Sequence, residues 1–357
     1  MKYKGRFIKL FISALFIVVI CLKVDWAGFK SMLSDIDVFY FILSFVIAFV
    51  MLLTSCLKWQ LMLRMQGARL GFLFLLKNYY VGYLFSVLLP SNIGGDVVRS
   101  YYIGKRMNEQ YTAAVSVFLE RFTGILYLLL LAIVTPFIAP RLLWYWRIII
   151  PMAGSLIMLG FFVFFAMNEK LIDKLNSLVL RIADLICFVN KKLHLNFLNK
   201  LLDNIMSFYE RIFEKGMKFY RKLKRTVGYF KHRTGYLIAT VVLTMLFYTW
   251  TWLNVLFAFR TFNIDVGMID IISLVPIIML VSMIPITLGS IGLAEGAYVF
   301  YFALADIKAE SAFIMGLLLR FKLIVWATIG FLFYLTYKRR RIDYEEIVTV
   351  KSHEEAG

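Results

Sequence analysis

Residues 78–96 read NYYVGYLFSVLLPSNIGGD, and they decide how the chain is threaded. The uncharged arm, 78–90, has only 13 residues, which is about 20 Å of helix. The hydrocarbon core of a bilayer is about 30 Å thick, so this arm is too short to cross it. The proline and glycines at its end therefore predict a turn inside the membrane, from which the chain returns to the side where it entered.

Longer uncharged runs flank this segment on both sides. The runs 38–57 and 148–167 have 20 residues each, and 234–259 has 26. Roughly 20 apolar residues cross a bilayer as a helix. With 61% hydrophobic residues and a mean hydropathy of +0.78, the chain falls in the membrane class. We predict an all-α integral membrane protein with about six full spans, at 7–24, 38–57, 112–138, 147–167, 235–259 and 311–337.

The first span begins with basic residues and imitates a signal peptide. No small-x-small cleavage site follows it, so we interpret 7–24 as a retained span. The span 38–57 then returns to the side where the chain began. It is predicted to end in a cytoplasmic loop that contains Lys58, Arg64, Arg69 and Lys77.

The formal charge of +18 raises the question of nucleic-acid binding. The basic residues flank apolar runs and form no nucleic-acid module, so we expect no nucleic-acid partner. The insertion 168–235 carries 15 Lys and Arg against 6 Asp and Glu, and charge bias predicts that it is cytoplasmic. Apolar residues recur in it at helical spacing, which favours amphipathic helices that either lie on the lipid surface or pack together as a hairpin.

Counting crossings from the N-terminus places both chain termini in the cytoplasm. Two apolar segments are broken by proline and glycine residues, and we call them the broken segments. By this count the first, 71–104, starts and ends inside, and the second, 269–305, starts and ends outside. The second is predicted as an inverted re-entrant hairpin, although two short full spans satisfy the same count. Arg141 and Arg147 contradict the charge rule, because the loop that contains them is placed outside.

These segments divide the chain into four parts. They are a membrane half at 1–167 with the hairpin 71–104, the cytoplasmic insertion 168–235, a membrane half at 236–341 with the hairpin 269–305, and a cytoplasmic tail at 342–357. Broken segments at matching positions of two oppositely oriented halves indicate an inverted repeat with a transport site near the midplane. Irregular backbone at that depth must be buried in protein or line a polar cavity.

Several charges lie in or beside apolar segments, where each costs roughly 2.5 to 3.5 kcal/mol. They are Asp96, Arg99, Glu120, Arg121, Glu295, Arg320 and Lys322. One interpretation is that acids and bases form structural ion pairs. The other is that they line a cavity for an anionic head group, because the guanidinium fork suits phosphate and glycine turns expose backbone N–H groups. The candidate head-group site comprises Asn92, Gly94, Gly95, Asp96, Arg99, Glu120, Arg121, Gly289, Gly292, Glu295 and Arg320.

This set of motifs resembles one known family. The blocks are Pro90 to Asp96 with Arg99, Glu120-Arg121, Pro285 to Gly292 with Glu295, and Arg320. They look like those of the flippase-like family that includes the transmembrane region of lysylphosphatidylglycerol synthases. The resemblance implies a protein that handles lipid head groups, either aminoacylated phospholipids or lipid-linked sugars. The chain ends at Gly357 with no aminoacyl-transferase domain, so we expect lysyl transfer to be absent.

The function that these patterns favour is a lipid flippase or transporter in the cytoplasmic membrane. It would move an anionic phospholipid or a lipid-linked sugar between leaflets. No Walker motif is present, the three cysteines form no metal motif, and we expect no catalytic residue, cofactor or metal. Two alternatives stay open: a membrane-embedded enzyme acting on a polyprenyl-phosphate or phospholipid, and a non-catalytic partner of a glycosyltransferase or lipid synthase.

Overall fold

A computed structural model describes residues 31, 33–89, 93–167, 217–229 and 233–354 of the chain. Within these residues the regular structure is helical, with no β-strand. The principal helices are α1 (Val38–Met65), α2 (Phe72–Leu88), α3 (Gly94–Met107), α4 (Gln110–Val134), α5 (Trp146–Met167), α6 (Thr234–Arg260), α7 (Met268–Met283), α8 (Leu293–Phe302) and α9 (Ala309–Glu354). The all-α prediction is confirmed for this part of the chain.

Four of the described helices are long and apolar enough to cross a membrane. They are Val38–Met65, Gln110–Ile138, Thr234–Arg260 and Ala309–Thr336. They cover four of the predicted spans, and α5 covers the predicted span 147–167 with a helix of 22 residues. The predicted span 7–24 lies outside the described residues, as do the amphipathic segments of the insertion before residue 217. The chain is therefore a multi-pass membrane protein.

The two broken segments form pairs of short helices. Helices α2 and α3 are the arms of the first hairpin, and α7 and α8 are the arms of the second. Helix α2 ends at Leu88, shortly before Pro90, as expected because a proline disfavours helix in the residue before it. The second turn uses left-handed backbone at Gly289, Ser290 and Gly292, whose φ angles are 56°, 56° and 78°. Glycine adopts such angles without a steric penalty.

Contacts between connecting segments group one set of helix ends together. The backbone N–H of Asp37, before α1, donates to the carbonyl oxygen of Thr261, after α6, at 2.9 Å. Arg141, in the segment between α4 and α5, forms an ion pair with Asp270 at the start of α7. We call this side of the bundle the Asp37 end.

A second set of contacts defines the opposite side. The Thr226 hydroxyl lies 3.5 Å from the side-chain oxygen of Gln66, which follows α1. Lys222 lies 3.8 Å from Glu109, which precedes α4. The helical residues 217–229 of the insertion therefore pack on this side, which we call the Gln66 end.

The two hairpins enter the bundle from opposite ends. Helix α2 starts six residues after Gln66, and α3 stops two residues before Glu109, so the first hairpin opens toward the Gln66 end. The second hairpin opens toward the Asp37 end, because Asp270 begins α7 and the ring of Phe300 in α8 contacts Trp146. This arrangement agrees with the inverted orientation that the crossing count predicts.

The final span, α9, packs against the first half of the chain. A Cβ atom on Gly330 in α9 would lie 2.0 Å from the carbonyl oxygen of Tyr80 in α2, so the two helix backbones touch at this point. Only a residue without a side chain allows this approach. The last span of the second half is therefore packed directly on the first hairpin.

The prediction that Lys58 lies in a cytoplasmic loop is wrong. Helix α1 continues for seven residues past Lys58, to Met65, and Lys58 is only 5% exposed. The uncharged run ends at residue 57, but Trp59, Met62 and Leu63 continue the buried face of the helix. A charge ends an apolar run in the sequence, but it does not end a helix whose neighbours can bury it.

Candidate functional site

The tips of the two hairpins lie close together. A Cβ atom placed on Gly289 in the second tip would lie 4.0 Å from the carbonyl oxygen of Ser86 near the end of α2. Within the first hairpin, a Cβ atom on Gly95 would lie 2.1 Å from the carbonyl oxygen of Gly82 and 2.2 Å from the Ser86 hydroxyl. The absence of side chains on Gly82 and Gly95 therefore brings α2 and α3 into backbone contact beside the meeting point.

Arg99 is the centre of the first charge cluster. Its Nε donates to Asp96 Oδ1 at 3.1 Å, and its Nη2 donates to Glu120 on α4. Asp96 and Arg99 are three residues apart on α3, so they lie on one face of that helix. The Arg99 residue is 1% exposed, and burial of an ion at this depth requires such partners.

Aromatic rings enclose the Arg99 guanidinium. Its centre lies 4.8 Å from the Trp59 ring centroid and 4.4 Å from that of Tyr79. The Tyr79 hydroxyl also donates to Glu120 at 3.3 Å. The Nη1 atom of Arg99 has no hydrogen-bond partner within the described residues, so its charge is held by ring faces on one side and carboxylates on the other.

Arg121 completes the pairing of Asp96 from a more open position. Its Nε lies 2.8 Å from Asp96 Oδ2, and its Nη2 donates to Asp96 Oδ1 at 3.1 Å. This is a two-pronged arginine–carboxylate contact. The side chain of Arg121 remains 50% exposed, so part of its guanidinium is accessible to a ligand.

Lys58 is the residue of this cluster that the sequence analysis missed. Its Nζ would lie 3.6 Å from a Cβ on Gly124, one turn along α4 from Glu120, and it is within electrostatic reach of Glu120, Arg121 and Arg99. Across the described part of the chain, its ammonium forms neither a hydrogen bond nor an ion pair. The one sign in the sequence that Lys58 is buried was that apolar residues continue after it at helical spacing, at Trp59, Met62 and Leu63.

The charges of this cluster do not balance. By formal charge, Lys58, Arg99 and Arg121 count three positive charges, and Asp96 and Glu120 count two negative ones. Both carboxylates already form ion pairs with the arginines. The excess positive charge therefore resides at Lys58 and on the open side of Arg121. A buried ion without a partner is costly, and an anion placed there would offset that cost.

The second charge cluster is closed. Arg320 on α9 donates through Nε to Glu295 at 2.7 Å, through Nη1 to the carbonyl oxygen of Gly289 at 2.9 Å, and through Nη2 to that of Ser290 at 3.0 Å. Glu295 accepts in turn from the Gly292 backbone N–H at 2.8 Å. Each Arg320 nitrogen has a partner, and these contacts hold the turn of the second hairpin in place.

Lys322 is buried apart from both clusters. Its ammonium donates to Asn254 Oδ1 on α6 at 2.7 Å and lies 3.5 Å from the carbonyl oxygen of Ser44 on α1. None of these partners belongs to either cluster. The bundle therefore buries a second lysine with neutral partners, which provides a matched control for Lys58.

The predicted site residues thus fall into two groups. The structure joins Asp96, Arg99, Glu120 and Arg121 around α3 and α4, and it joins Gly289, Gly292, Glu295 and Arg320 around the second tip. Gly94 and Gly95 begin α3, and Asn92 lies outside the described residues. A role in head-group binding stays a prediction for all of them.

Comparison with protein families identifies the family of the chain. The model of the family described as the lysylphosphatidylglycerol synthase TM region matches residues 6–330. The chain belongs to this family. Its predicted resemblance is confirmed, and both charge clusters lie inside the matched range. No curated protein and no solved structure matches the chain.

Proposed function

We propose that the chain is a transporter that moves a phosphate-bearing lipid between leaflets of the cytoplasmic membrane. The lipid would be an anionic phospholipid or a lipid-linked sugar, and its head group would bind beside Arg99. The observation that supports this most directly is the excess positive charge at Lys58 and Arg121. Membership of a lipid-related membrane family agrees with it.

The proposed binding step follows from the chemistry of the cluster. Asp96 and Glu120 hold Arg99 and Arg121 in fixed positions, so these arginines act as a rigid wall of the site. Lys58 and the open side of Arg121 would donate charge-assisted hydrogen bonds to phosphate oxygens. The lipid chains would stay in the bilayer, so only the head group would have to cross.

The proposed movement uses the two tips. Gly289 lies close to Ser86 where the hairpins approach each other, and this contact would separate the two ends of the bundle. Hairpins that open toward opposite ends can expose the same central site to one leaflet and then to the other. With the inner leaflet at the Gln66 end, both chain termini would be cytoplasmic.

Transport is tested with the purified chain in liposomes that contain phosphatidylglycerol with a fluorescent head group. A membrane-impermeant reductant bleaches the label in the outer leaflet, so loss of more than half of the signal reports movement. A charge-assisted hydrogen bond contributes about 1.5–3 kcal/mol, so Lys58→Met should slow movement about tenfold or more. Lys322→Met removes an equally buried lysine outside the cluster and should leave the rate unchanged.

The same experiment distinguishes the other functions. Release of the phosphorylated head group without movement would identify an enzyme, and neither release nor movement would favour a partner of a glycosyltransferase or lipid synthase. Equal rates for wild type and Lys58→Met would contradict the proposed site even if movement occurs.

Movement of the tips is tested by tethering them. In a background without the native cysteines, Ser86→Cys combined with Gly289→Cys should react with a short bifunctional thiol reagent, because the two positions are in contact. The cross-linked protein should lose lipid movement, whereas each single variant treated in the same way should keep it. Full activity after complete cross-linking would show that the tips do not need to separate.

A further inference from the structure

A groove on the side of the bundle lies apart from the charge clusters. It has a volume of about 380 Å³, within the range of ligand pockets, and its walls are almost entirely apolar. Helix α5 forms one wall with Ile150, Gly154 and Met158, and α7 forms the other with Leu280 and Val281.

One mouth of the groove lies at a membrane–water interface. Trp144 is 90% exposed and the neighbouring Trp146 is also exposed, and exposed tryptophans collect where lipid head groups meet hydrocarbon. Trp146 and Arg147 line this mouth of the groove. The groove therefore begins at head-group depth on the Asp37 end.

The length of the groove matches one leaflet. Arg147 and Met158 are 11 residues apart on α5, which corresponds to about 16 Å of helix. Half of the hydrocarbon core is about 15 Å thick. The groove thus runs from the interface to the bilayer centre, where Ile284 marks the end of α7 and the start of the second turn.

Arg147 offers a positive charge at the mouth. Its guanidinium stacks on the Phe300 ring at 4.2 Å and makes a long hydrogen bond of 3.5 Å to the Phe300 carbonyl oxygen. In the part of the chain that is described, no carboxylate pairs with it. Arg141, six residues earlier, differs because Asp270 already neutralises it. Arg147 is therefore available to an anion.

We propose that this groove binds one phospholipid of the adjacent leaflet. The phosphate pairs with Arg147, and one acyl chain lies between α5 and α7 down to the second turn. The site is independent of the proposed transport site, since none of its residues belongs to either charge cluster. Binding of a lipid phosphate would also explain why Arg147 lies in a loop that is predicted to be outside, where the positive-inside rule disfavours a basic residue.

Gly154 provides a way to fill the groove without disturbing the fold. A Cβ at this position would have no heavy atom within 4 Å, so Gly154→Leu adds its side chain to empty space in the groove. Gly160 is the matched control, because a Cβ there is equally free and the residue does not line the groove. Both substitutions add the same volume to the same helix.

The test is native mass spectrometry of the full chain in detergent, titrated with dioleoyl phosphatidylglycerol or with dioleoylglycerol, which has the same chains and no phosphate. The titration is done in the wild type and in Lys58→Met, so that loss of lipid from the transport site is scored separately. Gly154→Leu should weaken the binding of both lipids about tenfold, and Gly160→Leu should not change it. Arg147→Gln should weaken only phosphatidylglycerol, about tenfold, which equals about 1.4 kcal/mol.

Several results would overturn the proposal. They are equal binding by Gly154→Leu and Gly160→Leu, unchanged preference for phosphatidylglycerol in Arg147→Gln, and failure of Arg147→Lys to restore part of that preference. Unfolding temperatures of all five variants identify any that fail to fold. An effect of Lys58→Met alone would support the transport site and count against the groove.

Discussion

The two hairpin tips use the same residue types in opposite ways. Each combines glycines at a turn with a nearby acid and an arginine. In the first, the arginines use up both carboxylates and a lysine is left over, so the cluster has capacity for an anion. In the second, one acid balances one arginine, and each Arg320 nitrogen donates to Glu295 or to a backbone carbonyl of the turn that it holds. Similar motifs therefore do not imply similar roles, because the role depends on which donors remain unpaired.

The largest effect is expected from Gly95→Leu in the first hairpin. Even a Cβ at this position would overlap the carbonyl oxygen of Gly82, so α2 and α3 could no longer touch. Insertion of a side chain into a packed contact typically costs about 1–3 kcal/mol for small changes, and leucine here should exceed that. Thermal unfolding in detergent should show loss of the folded protein, whereas Gly154→Leu should unfold like wild type. A stable Gly95→Leu protein would refute the backbone contact.

The next largest effect is expected from Arg320→Met in the second tip. It removes the partner of Glu295 and of two backbone carbonyls, and breaking a buried ion pair costs about 3–5 kcal/mol. The unfolding temperature should fall strongly and recover in part when Glu295→Leu is added, since the unpaired acid is then removed. Equal unfolding of the single and double variants would show that Glu295 and Arg320 are not coupled.

A smaller effect is expected from substitution of Gly289. There the backbone angle, and not the available space, disfavours a residue with a side chain. Its φ of 56° costs an ordinary L-residue roughly 1–2 kcal/mol, while the Cβ itself meets only one atom, at 4.0 Å. Gly289→Ala should lower the free energy of unfolding by that amount. Gly289→Asn should lower it less, because asparagine tolerates this conformation. The reverse order would indicate that volume at the tip matters more than backbone angle.

The smallest effect on stability is expected from Lys58→Met. The ammonium has no partner in the described residues, so its removal loses no ion pair and relieves the cost of burying a charge. The free energy of unfolding should be unchanged or higher, in contrast to Arg320→Met. A marked loss of stability would mean that Lys58 holds the fold together, and the proposed anion site would then lose its main support.

Much of the architecture was predictable from local patterns. Apolar run lengths located α1, α4, α6 and α9, and where the short arm 78–90 predicted a hairpin the chain forms the two short helices α2 and α3. The two hairpins open toward opposite ends, which agrees with the orientation predicted from charge bias and parity, and whether either hairpin is re-entrant stays a prediction. The pairing of Glu120 with Arg99 and of Glu295 with Arg320 was open in the sequence, because partners 21 and 25 residues apart come together only through helix packing.

By itself, the sequence determined the membrane class, the approximate positions of the four long helices and most of the charged residues of the two clusters. These depend on hydrophobicity, length and turn residues, which are local properties of the chain. Only the tertiary structure decided that Lys58 joins the first cluster, that every nitrogen of Arg320 has a partner, and that Gly95 and Gly330 mark contacts between helix backbones. The physical reason is that a charge or a glycine acquires its role from the atoms placed against it, and those atoms belong to distant parts of the chain.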